Sequence, residues 1–166
     1  MKDIVRIQSI TLGYSDSEDR IWVRLILQDD TEARLWLTRR LMLRLAEGLV
    51  DMLMQATIKK TNAMSPELEM PMARAKLAAE FTDAQSTLTS TPAPPPPESK
   101  ASIATGICHS VDISSSETYW SLTWRSTGTP NYLLDLDRGA VIRLVSGMVR
   151  QADTAGWDFP QSVKLI

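Results

Sequence analysis

The residues able to do chemistry in this chain are few, and their spacing is poor. His109 is the sole histidine and Cys108 the sole cysteine, side by side in a stretch from Ile103 to Ile113 that reads as a strand. Neighbours on a strand point to opposite faces, so the two do not form a direct Cys/His dyad. One thiol and one imidazole cannot build a Cys/His zinc site, and a single cysteine makes no internal disulfide. No G-x-S-x-G, P-loop or H-E-x-x-H pattern occurs. Asp135 and Asp137 could hold a hard cation with a third ligand, but Asp137 also reads as the cap of a following helix. No catalytic, cofactor-binding or metal residue is assigned, and the chain is expected to be non-enzymatic. An enzyme with a shallow site near His109 ranks third among the readings.

A binding surface is the stronger signal. Arg20 to Leu27 and Glu32 to Leu37 alternate strictly, which places Arg20, Trp22 and Arg24 on one side of a sheet with Arg34 and Trp36 beside them. Val5, Ile7 and Ile26 are expected next to this Trp/Arg patch. Exposed apolar patches mark contact sites, and Trp and Arg are favoured interface anchors. Three covers are open: the apolar stripe of a helix over residues 70–88, a protein partner or second copy, or a single-stranded nucleic acid stacked on the tryptophans. The leading expectation is a protein-interaction or scaffold module that uses Trp22, Arg24, Arg34, Trp36 and Arg20, with a protein partner or itself as a homodimer. Single-stranded nucleic-acid binding on the same face is the alternative. Arg39 and Arg40 sit at a helix N-terminus, where the dipole disfavours cations, so an anionic partner or a salt bridge to Glu32, Asp29 or Asp137 is expected there.

The elements that must carry this face occur twice. Sliding the sequence by 99 residues without a gap matches 11 of the 50 positions from Ile4 to Leu53, among them Leu35 with Leu134, Arg39 with Arg138 and Gly48 with Gly147. A fixed-period self-match reads as a duplicated structural unit. In the first copy, three strands (4–14, 20–27, 32–37) form an antiparallel meander. Thr38 then caps an amphipathic helix on which Leu41, Leu45, Leu49 and Leu53 share one side. The second copy repeats this from Ile103 to about Ala152, with Ile107, His109, Val111, Ile113, Trp120, Leu122 and Trp124 inward by alignment. Gly48 and Gly147 suggest a close approach, with the two helices touching.

Between the copies, Ser65-Pro66-Glu67 looks like a helix start, but Pro71 shifts the expected start to near residue 71. Residues 86–102, with Thr91-Pro92-Ala93-Pro94-Pro95-Pro96-Pro97, read as a polyproline-like linker. The expected class is α+β: two pseudo-repeated βββα units pairing into a roughly six-stranded antiparallel sheet with both helices on one face. The divisions are 1–57, 58–102, 103–152 and a docking tail, 153–166, read as a short edge strand. Repeated sheet-plus-helix units of this kind look like the Whirly and Pur families, which bind single strands but carry four strands before each helix where three are counted here. No motif residue is shared, so no site is carried over. The net charge of −2 and pI near 5.4 argue against nucleic-acid binding through overall charge. With no apolar run at the start and none of 18 residues, a cytoplasmic, non-membrane protein is expected.

Overall fold

A computed structural model describes residues 3–62, 65–89 and 104–164. Most of the proline-rich linker therefore lies outside the described residues. The chain is α+β, with a six-stranded mixed sheet, three long helices and one single-turn helix. The first strands are β1 (Ile4–Ser15), β2 (Arg20–Leu27) and β3 (Glu32–Leu37), followed by α1 (Arg39–Lys60) and α2 (Pro66–Thr89). Then come β4 (Ala104–Ser115), β5 (Trp120–Ser126), β6 (Asn131–Leu136), α3 (Arg138–Ala155) and α4 (Gln161–Lys164).

The sheet is not wholly antiparallel. Each meander is, but β3 runs parallel to β4 (Trp36 beside Ile107) and β6 parallel to β1 (Tyr132 beside Val5), and these two seams close the six strands into a barrel. Two flat three-stranded sheets would leave four edges of unpaired backbone, and closure removes all of them. The alternating strand pattern survives, with the barrel interior as its apolar side: Ile21, Val23, Leu25, Ala33, Leu35, Leu37, Leu122 and Trp124 are all 0% exposed.

Closure also moves the helices. β3 and β6 run the same way, so α1 and α3 leave from the same end of the barrel and pack there, not across an open sheet face. Thr38 Oγ1 accepts from the Leu41 amide at 3.3 Å and Asp137 Oδ1 from the Ala140 amide at 2.7 Å, which are the expected N-caps. The two helix glycines face strands and not each other. A Cβ on Gly48 would lie 3.6 Å from Ile113 Cδ1, and one on Gly147 would lie 3.5 Å from Leu12 Cδ1.

α2 begins at Pro66 and runs through Pro71. Pro71 is the sixth residue of the helix, so it forfeits the bond its amide would make to the Glu67 carbonyl and its ring crowds that carbonyl. Ala73, Leu77 and Phe81 are buried where α2 lies on α1 and α3, whereas Met70 stays 46% exposed. The C-terminal segment forms no edge strand, since a barrel has none to offer. Gly156 ends α3 with φ 67, and Trp157, Phe159 and Val163 are buried against the helical end. Among the described residues no helix is long and apolar enough to cross a membrane.

Two β-bulges also change which face a side chain takes. In β1 the register with β2 shifts between Ile7 and Ser9, and in β4 the register with β5 shifts between Cys108 and Ser110. One extra residue sends everything before it to the opposite face. Ile7 therefore joins the core at 7% exposure and leaves the outer patch, and Cys108 turns inward at 1% while Ile107 and His109 turn outward. The ungapped offset of 99 also slips. It holds for β2 with β5 and β3 with β6, but after the bulges Leu12 pairs with Val23 whereas Ile113 pairs with Leu122, an offset of 101 in the first strand.

Candidate functional site

Because the barrel interior takes the apolar side of β2 and β3, Arg20, Trp22, Arg24, Arg34 and Trp36 all face outward. Trp22 stands across from Trp36 and Arg24 across from Arg34, so these four are direct cross-strand neighbours. β1 extends the row with Gly13 beside Trp22, and β4 extends it with Ile107 beside Trp36. An apolar row Gly13–Trp22–Trp36–Ile107 therefore crosses four strands, flanked by Arg24 and Arg34.

The members of this row are not equally open. The indole of Trp22 fills the space above Gly13: a Cβ there would meet its ring atoms at 2.0 to 2.7 Å. Trp22 is 2% exposed, and its Nε1 meets no hydrogen-bond partner among the described residues. Arg34 is buried at 8% and Trp36 and Arg20 are half-buried, whereas Ile107 is 48% exposed. Arg24 is exposed and its guanidinium reaches Glu32 at 2.8 Å, an ion pair worth little at such exposure. α2 packs on α1 and α3, so the 70–88 stripe does not lie across the tryptophans; Gly13 lets the Trp22 indole lie close against the sheet. Ile107 was assigned to the core by the repeat alignment, and only the bulge in β4 brings it to this face.

The corresponding surface of β4 to β6 is polar and internally linked. Asp135 accepts from Arg6 at 2.8 Å and from Ser121 at 2.5 Å, and Arg125 donates to Asp112 at 2.6 Å. Asp135 is thus engaged by a cation and a hydroxyl, and Asp137 by the α3 cap. Arg39 places its guanidinium 5.8 Å from the Trp157 ring centre, and Arg138 binds Glu80 at 2.8 Å and the Thr57 hydroxyl at 2.6 Å; neither makes the ion pair to Glu32, Asp29 or Asp137 expected for the helix starts.

The two chemically versatile side chains are separated by the bulge. His109 is exposed on the outer surface, with Nδ1 3.3 Å from Ser110 Oγ. The Cys108 thiol points inward and donates to the Ser110 carbonyl at 3.3 Å; burial pushes its pKa up from 9.0 to about 11, which keeps it protonated and unreactive at neutral pH. Among the described residues no three of His, Cys, Asp and Glu converge as a metal site. No family model, curated protein or solved structure matches the chain.

Proposed function

We propose that the chain is a non-enzymatic interaction protein whose outer barrel face on β2, β3 and β4 docks a protein partner. The observation that supports this reading is the exposed Ile107 beside half-buried Trp36, flanked by the Arg24 and Arg34 pair. A partner suited to it offers an apolar contact for Trp36 and Ile107, with a carboxylate beside them to compete with Glu32 for the exposed Arg24. The sunken Trp22 weighs against single-stranded nucleic acid, because a base stacks only on an open ring face and one of the two expected platforms is closed. The 11 matched positions at an offset of 99, with the same order of elements in both halves, support descent of the halves from one copied unit. On that reading, the first half kept or gained a sticky outer face while the second tied its own polar groups together.

A photo-crosslinking residue at position 107, compared with one at position 123 on the outer face of the second half, tests the reading. A discrete protein adduct at 107, absent at 123 and weakened at least fivefold by Trp36→Ala with Arg24→Ala, is the expected result. An adduct of twice the chain mass identifies the partner as a second copy. Equal labelling at both positions, or crosslinks to nucleic acid alone, overturns the proposal.

A further inference from the structure

Among the described residues, the helical end of the barrel contains two similar brackets, one filled and one empty. In the first, the β1–β2 hairpin and α3 enclose Trp157. After the left-handed turn at Gly156, the Trp157 amide donates to the Ala152 carbonyl at 2.9 Å, and its Nε1 donates to Asp19 Oδ1 at 3.3 Å. Its ring meets the Tyr14 edge at 5.9 Å and an interplanar angle of 82°, and Arg39 lies over it. Trp157 so fills its bracket that it is only 6% exposed, while the next residue, Asp158, turns to solvent with its carboxylate 3.5 Å from Lys164.

The second bracket is formed by the β4–β5 hairpin and α1. There α1 runs straight on to Lys60, where α3 stops at Ala155, and no aromatic residue turns back. A cavity of about 870 Å³ remains, with Trp120 as its apolar base, Met52 and Ala56 on the helix side, and the hairpin tip Ser115 to Thr118 opposite. Ser115 is the partner of Trp120 in the ladder, as Tyr14 is of Ile21 in the first hairpin, so the ring that helps to hold Trp157 has no counterpart here. Lys59 and Lys60, both exposed, line it at the C-terminal end of α1, with Asp51 two turns back along the helix and Glu117 on the hairpin. A cavity of this size with apolar walls and a few charged groups at the rim suits a ligand that buries one or two rings.

We infer that this second bracket is a peptide-binding site for an aromatic side chain followed by a carboxylate: the first bracket holds an indole, Trp157, in the equivalent cleft, and Lys59 and Lys60 line the second one with the charge that a carboxylate would meet. The ring would lie on Trp120 between Met52 and Ala56, and the carboxylate would meet Lys59 and Lys60, which the C-terminal end of α1 already favours as cations. This inference is independent of the outer-face reading, since it uses a different surface and different residues.

The probe is a fluorescein-labelled peptide with the sequence of residues 156–161, added to the full-length protein. Saturable anisotropy is expected, with amide shifts at 51–60 and 115–120. Ala56→Trp, which fills the cavity, is expected to weaken binding at least tenfold, and Lys59→Glu with Lys60→Glu at least fivefold. A peptide with Asn in place of Asp is expected to bind about fivefold more weakly. Shifts confined to residues 14–19 and 39 would show the peptide displacing the protein's own tail, and with no binding at all, or binding indifferent to Ala56→Trp, would overturn the proposal.

Discussion

Gly13 and Trp22 show how one position sets what a surface can offer. The indole sits where a methyl group would be, and an aromatic ring cannot flex aside as a long aliphatic chain would. Gly13→Ala is expected to destabilise the protein by about 2 kcal/mol, the scale of an overpacked contact. Urea unfolding of Gly13→Ala, Trp22→Leu and the double variant checks it: coupling of at least about 1 kcal/mol is expected, since the smaller side chain relieves the clash. Two independent, additive losses would show that the ring does not depend on the missing Cβ. Cys108 carries the second expectation at this scale. Its neutral thiol is favoured in the fold, so the folded protein holds a proton that the unfolded chain loses above pH 9.0. The stability linked to it is fully present below pH 9 and falls as pH rises toward 11. Unfolding free energies measured from pH 8 to 10.5 should fall more steeply for the parent than for Cys108→Ala, and parallel curves would place the thiol in water.

At the scale of elements, local chemistry was readable wherever it is local. Alternation in Arg20 to Leu27 and Glu32 to Leu37, and the caps Thr38 and Asp137, lie where side-chain periodicity and turn chemistry placed them. The bulges were not readable, because they arise from pairing between strands and leave no mark in Gln8 or His109 themselves; that is why Ile7, Cys108, Ile107 and His109 were put on the wrong faces. Pro71 misleads for a related reason: its local cost, a lost hydrogen bond and a crowded turn worth about 3 kcal/mol, is outweighed by burial of Ala73, Leu77 and Phe81 against two helices. The helix glycines invite a direct test. Each faces a strand side chain at ordinary contact distance, so Ala fits in both places. Gly48→Ala and Gly147→Ala are each expected to raise stability by about 0.5–1 kcal/mol through helix propensity. A loss in thermal or urea unfolding would mean that Leu12 and Ile113 need the extra room.

At the scale of the whole molecule, the count of strands and the apolar inner side were legible, but closure was not. Nothing in Trp36 or Ile107 announces that they are neighbours across a parallel seam, because parallel pairing joins distant segments without a turn to mark it. The five residues expected to bind do share one face, yet how close the Trp22 ring lies to the sheet depends on Gly13 and what stands beside Trp36 depends on which strand flanks β3, and both are tertiary facts. The first-to-last seam has a consequence for the timing of synthesis. β1 needs β6 beside it, from Ile4 with Asn131 to Arg6 with Leu133, and β3 needs β4. A nascent chain that has released only its first hundred residues therefore exposes two unsatisfied strand borders, with α1 and α2 in place but no β6 to close the ring. Until the ribosome has delivered residue 136, that half-made cylinder is the state most open to sticking to its neighbours, and the hazard ends when the last strand arrives.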